Sequence, residues 1–103
     1  MKLTELFPEN EFGEIFNFAG SELSGETEIK TITSDSRKAG RNSVFVCING
    51  SEADGHEYVP NAYKLGCRIF VCEHAVTVPG ESALVIAVPD TRKTLALLSE
   101  RFY

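Results

Sequence analysis

The sequence predicts an α/β fold, in which a small single domain has a mostly parallel sheet and flanking helices. Three short apolar runs rich in β-branched residues, VFVCI, RIFVC and ALVIAV, are typical of strands buried on both faces. The segment HEYVPNAYKLG, between the first two runs, has helical spacing and predicts a right-handed βαβ unit. With 103 residues and 43% hydrophobic content, the chain can bury a small core.

The first third of the chain predicts shorter elements. LTELF predicts a short helix with Leu3, Leu6 and Phe7 on one side, which Pro8 ends. EIFNFAG predicts a strand, and the Ser/Gly/Glu-rich residues 20–28 predict a loop. EIKTITS then predicts a short or bulged edge strand.

The helix of the βαβ unit is defined by apolar residues at helical spacing, namely Tyr58, Val59, Ala62 and Leu65. Pro60 is compatible with its first turn, and Gly66 suits the left-handed position after its last turn. A second helix follows in PDTRKTLALLSERFY, where Asp90 is placed to cap the first amides. One face of that helix carries Leu95, Leu98 and Phe102.

The net charge of -5 and pI near 5.0 argue against a general nucleic-acid or anionic-membrane surface. No apolar stretch approaches the roughly 20 residues of a membrane span, and the N-terminus lacks a secretion signal. The three cysteines lie in or beside apolar runs, which predicts buried reduced thiols and a cytoplasmic location. Without CxxC spacing and with its two histidines far apart in sequence, the chain predicts no metal site.

The segment TSDSR, just before the VFVCI strand, has two interpretations. In the first it is a polar turn, in which Ser and Asp side chains bond nearby amides and Arg37 pairs with a carboxylate. In the second it presents hydroxyls and amides to a planar base such as uracil. Its spacing alone does not distinguish uracil from other small polar ligands.

A second candidate loop is NGSEADGHEY, at the predicted carboxyl end of the VFVCI strand, where open α/β sheets place ligands. Gly50 and Gly55 permit close backbone approach, and the following helix is expected to offer free amides to a phosphate. Glu52 and Asp54 would repel that phosphate, so Ser51 and backbone amides would have to meet it. The alternative is an ordinary turn between a strand and a helix.

A serine hydrolase is disfavoured, although Ser34, Ser36, Asp35 and His56 supply the residue types of a triad. The chain has no G-x-S-x-G motif, and we predict no catalytic residue in it. His56 is expected to be a hydrogen-bonded structural residue or partly exposed, and Arg92 to be solvated or paired with Asp90. No G-x-x-x-x-G-K-[ST] phosphate loop occurs.

Taken in order, TSDSRKAGRNSVFVCING, ADGHEYVPNAYKLG and VPDTRKTLALLSERFY resemble the N-terminal domain of the Mur ligases. The resemblance covers about residues 29 to 103 and is greatest to the members that add the third amino acid of the peptidoglycan precursor. It implies that residues 1–103 are the domain that binds the UDP part of UDP-N-acetylmuramoyl-L-alanyl-D-glutamate. The central ATP-binding domain and the C-terminal domain would be absent, and this fragment would be inactive alone.

The resemblance also implies the chemistry of a full-length enzyme. Such an enzyme uses ATP and Mg²⁺ to activate the substrate carboxylate as an acyl phosphate. The amine of meso-diaminopimelate or L-lysine then attacks that intermediate. The enzyme would be cytoplasmic and would serve cell-wall biogenesis, and thereby cell shape and division.

Carried over residue by residue, the resemblance implies a UDP site at two loops. Its expected residues are Ser34 and Ser36 in the first loop and Ser51, Glu52 and Ala53 in the second. Many members carry His-Gln where this chain has Ser51 and Glu52, so contacts there are expected to come from the backbone. Supporting roles in shaping a loop or contacting an anion are expected of Asp35, Arg37, His56 and Arg92. The alternative is a stand-alone nucleotide-binding or interaction domain with the same fold and no ligase activity.

Overall fold

The structure is a computed structural model, and it describes residues 1–6, 15–17, 28–50, 53–74, 76, 78–79 and 83–103. The predictions for Phe7, Pro8, Ser51, Glu52 and most of the loop at residues 20–28 lie outside those residues. Within the described residues, no helix is long and apolar enough to cross a membrane.

A five-stranded sheet lies at the centre of the fold, and four of its strands are parallel. The order is β1-β5-β4-β3-β2, with β1 antiparallel to β5. The predicted mostly parallel sheet is therefore confirmed, and β2 is the predicted short edge strand. The strands are β1 (Ile15–Asn17), β2 (Thr31–Thr33), β3 (Ser43–Val46), β4 (Ile69–Cys72) and β5 (Leu84–Ala87).

Strands β3 and β4 are buried along their whole length. Successive side chains of a strand point to opposite faces, so a strand covered on both faces is apolar throughout. On one face the rings of Phe45 and Phe70 meet edge to face, with centroids 6.3 Å apart. The opposite face buries Val44, Val46, Ile69 and Val71.

Helices α1 (Leu3–Leu6) and α3 (Thr91–Phe102) pack on the valine and isoleucine face of the sheet. Leu98 is fully buried there, and the Asp90 carboxylate caps α3 by accepting a 3.1 Å hydrogen bond from the Lys93 N–H. Both the helix and its cap were predicted and are confirmed. The remaining apolar residues of the two helices that join this core are Leu3, Leu6, Leu95 and Phe102.

Helix α2 (Val59–Lys64) covers the phenylalanine face, where Val59 and Ala62 are fully buried. Tyr58 and Leu65, predicted at the same helical spacing, are instead 41% and 51% exposed. At 3.6 residues per turn, the buried face of α2 is centred between Val59 and Ala62. Tyr58 and Leu65 therefore fall at the margin of that face and reach solvent.

Both ends of the crossover helix have the predicted chemistry. Pro60 lies in the first turn of the helix, where a missing N–H costs nothing. Gly66 has a φ of 111°, in the left-handed region that favours glycine. A Cβ at Gly66 would also lie 2.8 Å from the Cγ of Arg41.

The predicted buried and reduced cysteines are confirmed: Cys47, Cys67 and Cys72 are free and buried on the phenylalanine face. Burial raises the pKa of Cys67 and of Cys72 to about 11 and also raises the pKa of Cys47. The three thiols are therefore protonated core residues rather than nucleophiles.

Candidate functional site

The carboxyl ends of the four parallel strands lie at one edge of the sheet, and the polar segments found in the sequence follow them. The TSDSR turn follows β2, and the NGSEADGHEY loop follows β3. Glu73 and His74 follow β4, and the start of α3 follows β5. Open parallel sheets bind ligands at this edge.

The turn after β2 is shaped by Asp35 and Arg37. One carboxylate oxygen of Asp35 accepts from the Arg37 N–H at 2.9 Å and from its Nε at 3.0 Å, and the other accepts from Nη2 at 3.0 Å. The hydrogen bond from the Arg37 side chain is the main cause that lowers the pKa of Asp35 to about 2. The predicted pairing of Arg37 with a carboxylate is thus found, and it fixes the 3₁₀ turn at Ser36–Lys38.

Ser34 and Ser36 lie on either side of Asp35 on this rigid turn. Ser34 is exposed and Ser36 is half-buried. Neither hydroxyl hydrogen-bonds to another residue within the described part of the chain. As far as the described residues go, both hydroxyls are available to donate to and accept from a ligand.

The loop after β3 is closed at its base by backbone hydrogen bonds. The Gly50 N–H donates to the Ala53 carbonyl at 2.9 Å, and the Gly55 N–H donates to the Ile48 carbonyl at 2.8 Å. A Cβ at Gly55 would lie 2.7 Å from the Ile48 nitrogen, so the predicted close approach is present there. Ala53 is exposed at the end of this loop.

The expectation that the following helix offers free amides to a phosphate is wrong for its first residues. The His56 N–H donates to Asp54 Oδ1 at 3.0 Å, and the Glu57 N–H donates to the Asp54 carbonyl at 3.0 Å. The Gly55 N–H is also used, by Ile48. Oxygens of Asp54 therefore accept the hydrogen bonds of the His56 and Glu57 amides, which the sequence predicted to be free for an anion.

His56 is buried and both of its ring nitrogens are engaged. Nδ1 lies 2.5 Å from Asp54 Oδ1, and Nε2 accepts a 2.9 Å hydrogen bond from the Glu73 N–H. Since Nε2 accepts, the neutral ring carries its proton on Nδ1 and donates it to Asp54. Hydrogen bonds from His56, backbone first, lower the pKa of Asp54 to about 2. His56 is thus the structural residue that the sequence suggested.

The two histidines, far apart in sequence, meet in space. The rings of His56 and His74 stack with centroids 3.7 Å apart and planes inclined by 21°. His74 Nε2 also lies 3.2 Å from Asp54 Oδ2. The distance between the two histidines in sequence did not predict this contact, because β3 and β4 are adjacent strands that end at the same edge of the sheet.

Asp54, His56 and His74 bring three ligand-type atoms within 4.8 Å, the only such group found in the described residues. Coordination through His56 would need a lone pair on Nδ1, but the Glu73 hydrogen bond at Nε2 fixes the proton on Nδ1. Asp54 and His74 would remain as ligands, and two ligands are too few for a structural metal. The donor set fits a hydrogen-bonded cluster rather than a metal centre.

Glu73 connects this cluster to helix α3. Its carboxylate accepts from the Thr91 N–H at 2.8 Å and from Thr91 Oγ1 at 2.9 Å, and these bonds lower the pKa of Glu73. Arg92 Nη2 donates to the Asn49 carbonyl at 3.2 Å, which joins α3 back to the loop after β3. Of the predicted alternatives for Arg92, solvent exposure is found together with this unforeseen contact.

The hydrolase interpretation fails on geometry. Asp35 is paired with Arg37, while His56 is held between Asp54 and Glu73. The Nε2 atom that a serine base would use already accepts a backbone hydrogen bond. The candidate triad is therefore not assembled.

Sequence reasoning missed Asn49, Glu73, His74 and Thr91 as parts of one network. Glu73 and His74 directly follow a predicted strand, and this position was the signal that could have identified them. The sequence also missed an open groove between the first turn and α2. Its lining residues are Ser36, Arg37, Pro60, Asn61, Lys64 and Leu65.

A mostly parallel α/β sheet with polar segments at its carboxyl edge is typical of domains that bind small polar ligands or nucleotides. The sequence matches the family described as "Mur ligase family, catalytic domain" over residues 28–103. The chain belongs to the Mur ligase family.

Two relatives illustrate the match in sequence. The UDP-N-acetylmuramoyl-L-alanyl-D-glutamate–2,6-diaminopimelate ligase of Listeria monocytogenes serovar 1/2a is 38% identical over 103 residues, all of this chain and 19% of the relative. The UDP-N-acetylmuramyl-tripeptide synthetase 2 of Oceanobacillus iheyensis is 40% identical over 75 residues, which are 73% of this chain and 15% of the relative. The chain thus spans less than a fifth of either protein.

Solved structures agree with the fold. A crystal structure of MurF from Acinetobacter baumannii matches with a TM-score of 0.61 and 30% identity, over 71% of this chain and 16% of that chain. MurF ligase from Thermotoga maritima, crystallised in complex with ADP, matches with a TM-score of 0.56 and 26% identity, over the same shares of the two chains.

Proposed function

We propose that residues 1–103 are the substrate-recognition domain of an ATP-dependent amide ligase of peptidoglycan precursor synthesis. The domain binds the UDP part of UDP-N-acetylmuramoyl-L-alanyl-D-glutamate, to which the full enzyme adds the third amino acid. One observation carries this proposal: Ser34 and Ser36 lie on a turn that the Asp35–Arg37 pair holds in place at the ligand-binding edge of the sheet. Their hydroxyls have no hydrogen-bond partner among the described residues.

The chemistry of uracil suits this turn. Its two carbonyls accept hydrogen bonds and its ring N–H donates one, while a serine hydroxyl does both. Ser51, Glu52 and Ala53 form the second side of the proposed site, with backbone groups making the contacts. The amides of Gly55, His56 and Glu57 already donate hydrogen bonds within the chain. The proposal therefore assigns the diphosphate contacts to backbone amides of residues 51–53.

ATP and Mg²⁺ belong to the longer protein in this proposal. The 103 residues have no G-x-x-x-x-G-K-[ST] loop to hold a nucleoside triphosphate, so activation of the carboxylate is assigned to a central domain. A C-terminal domain supplies the incoming amino acid. The full enzyme is cytoplasmic and acts in cell-wall biogenesis.

The proposal is tested by titrating this chain with UDP and with UDP-N-acetylmuramate, followed by NMR. We expect shifts at Ser34, Ser36 and residues 51–53, with a dissociation constant on the order of a millimolar because part of the substrate contacts other domains. Ser34→Ala and Ser36→Ala should each weaken binding about three- to tenfold, the worth of one neutral hydrogen bond.

Ser99→Ala, a half-buried serine in the second half of α3, is the matched control and should leave affinity unchanged. Shifts confined to other surfaces, or unchanged affinity in both Ser34→Ala and Ser36→Ala, would contradict the proposed site.

A further inference from the structure

The open groove between the first turn and α2 is a surface of which the proposed UDP site uses only the edge. It has a volume of about 620 Å³, and its walls come from the 3₁₀ turn at Ser36–Lys38 and from one side of α2. We call it the α2 groove. The turn contributes Ser36 and Arg37, and the helix contributes Pro60, Asn61, Lys64 and Leu65.

The wall formed by α2 exposes apolar surface. Leu65 is 51% exposed, and of the large hydrophobic residues that the structure describes only Tyr103, at the end of the chain, is more exposed. Pro60, which lines the same wall, is exposed as well. Covering these side chains with a partner would remove apolar surface from water, so this wall can contribute free energy to binding.

Basic residues surround the α2 groove. Residues 36–43 and 58–72 contain five of the ten lysines and arginines of the chain and none of its fifteen acidic residues. The two segments meet in space, because Gly40 and Gly66 form a bridge beside the groove. A positive region therefore lies on a chain whose net charge is -5. Its five basic residues are Arg37, Lys38, Arg41, Lys64 and Arg68.

Lys64 is the cation of the groove that no acidic side chain neutralises. Within the described residues it forms no ion pair, and neither do Lys38 and Arg41 beside it. Arg37 is paired with Asp35, although 87% of the Arg37 side chain stays exposed. The positive charge offered to a partner therefore comes mainly from the two lysines and from Arg41.

An acidic protein segment fits this surface better than other anions do. Its apolar side chains would cover Leu65 and Pro60 while its carboxylates met the cations at the rim, which is the usual arrangement of a protein interface. A phosphate or polyphosphate would leave the apolar wall in water. A nucleic acid would be repelled by the net charge of the chain, and no aromatic ring lines the groove to stack on a base.

We infer that the α2 groove is a docking site for a protein segment that combines acidic and apolar side chains. The inference does not rest on the proposed function, because Lys64 and Leu65, which carry it, have no part in the proposed UDP site.

The first experiment titrates the unmodified chain with a short capped peptide that alternates glutamate with leucine, followed by NMR. We expect amide shifts at Asn61, Lys64 and Leu65 and in the turn at residues 36–38. A peptide with glutamine in place of glutamate lacks the charge, and one with serine in place of leucine lacks the apolar contact. Each should bind about fivefold more weakly or worse.

The second experiment changes the groove itself. Lys64→Glu turns an attraction into a repulsion, and Leu65→Ser removes the most exposed apolar side chain of the wall, so each should weaken peptide binding about fivefold. Lys93→Glu and Leu97→Ser are the matched controls. They make the same changes at exposed positions of α3, on the opposite face of the sheet, and should bind the peptide like the unmodified chain.

Two results would show that the groove does not bind this class of partner. One is the absence of shifts at the groove with millimolar peptide, and the other is an equal loss of affinity in the α2 variants and their α3 controls. Tripolyphosphate bound at the same residues as tightly as the peptide would also overturn the inference, since charge alone would then account for the site.

Titration with UDP-N-acetylmuramate separates this inference from the proposed function. If the unmodified chain binds the peptide at the groove but does not bind the nucleotide, the proposed function fails and the docking site stands. If Lys64→Glu weakens nucleotide binding as much as peptide binding, the groove belongs to the nucleotide site and the inference is overturned.

Discussion

At the scale of single residues, the two loops are organised by aspartates that act on residues two positions later. Asp35 binds the amide and side chain of Arg37, and Asp54 binds the amide and ring of His56. Asp35 thereby orders the turn that carries Ser34 and Ser36, the residues of the first loop that we propose to contact the nucleotide. The hydrogen bonds to the Asp35 carboxylate come from Arg37, and the hydroxyls of Ser34 and Ser36 are not used for them.

The Asp35–Arg37 pair predicts a specific acid titration. The pKa of Asp35 is lowered from an ordinary value of 3.8 to about 2, so its contribution to stability is complete above the ordinary value. That contribution is lost as the pH falls through about 2. The NMR shift of the Arg37 amide should therefore titrate with a midpoint near 2.

Arg37→Ala removes the main cause of this shift and should move the midpoint upward, toward the ordinary value. Arg41→Ala removes an exposed arginine that has no part in lowering this pKa, and it should leave the midpoint unchanged. A midpoint near 3.8 in the unmodified chain would argue against the pair in solution.

At the scale of elements, the loop after β3 depends on a glycine at its far end. Gly55 packs directly on the backbone of Ile48, the residue that leads from β3 into the loop. The contact holds the start of the 3₁₀ turn at Gly55–Tyr58 against the strand end. The contact between Gly55 and Ile48 therefore holds the two ends of the loop together at its base.

Gly55→Ala should destabilise the fold by about 1–3 kcal/mol, the usual cost of inserting a methyl group into packed structure. Its Cβ would lie 2.7 Å from the Ile48 nitrogen and 2.8 Å from the Ile48 oxygen, so backbone must move. Urea denaturation measures the change. UDP affinity should fall as well, since the clamp is displaced.

Gly40→Ala provides the matched control. A Cβ there would lie 3.7 Å from the Leu65 oxygen, an ordinary contact, so the change should stay within about 0.5 kcal/mol. Equal stability of the two alanine variants would contradict the close approach at Gly55.

At the scale of the whole molecule, we propose that the chain supplies substrate binding and that other residues of a longer protein supply the chemistry of ligation. It spans 15–19% of the two sequence relatives described above, and it has no phosphate loop. The free energy of ATP hydrolysis must therefore be used by other residues of the proposed enzyme. In this proposal the 103 residues provide the sheet edge that binds the UDP end of the substrate.

We predict that the 103-residue chain alone releases no phosphate from ATP with UDP-N-acetylmuramoyl-L-alanyl-D-glutamate, Mg²⁺ and diaminopimelate or lysine. The reading frame after Tyr103 should encode a glycine-rich Gly-Lys-Thr or Gly-Lys-Ser loop, and the longer protein should release phosphate and form the amide. A stop codon directly after Tyr103 in the natural gene would favour the alternative of a stand-alone binding domain.

Apolar runs and the residues at the ends of helices predicted most of the fold. The continuous apolar runs of β3 and β4, the cap at Asp90 and the left-handed Gly66 are local features, and each was found where expected. The burial of α2 was predicted less well, because its helical spacing did not show where the buried face was centred. Tyr58 illustrates the error, since it belongs to the turn before the helix.

The site was predicted only in part. The Asp35–Arg37 turn depends on residues two positions apart, so local sequence was enough to suggest it. The amides after Asp54 were expected to be free, because the sequence does not show which acceptors a folded loop brings near them. UDP contacts at Ser34, Ser36 and residues 51–53 stay predictions.

The sequence by itself determined the α/β class, the order of the elements, the polar turn before β3 and the family resemblance, because each is written in neighbouring residues. Only the tertiary structure decided that His56, His74, Glu73 and Thr91 form one network. Their contacts join the ends of parallel strands that lie side by side. Along the chain, α2 separates β3 from β4, and residues 73–83 separate β4 from β5. Hydrogen bonds of this kind depend on which strand ends are adjacent, and that adjacency exists only once the sheet has formed.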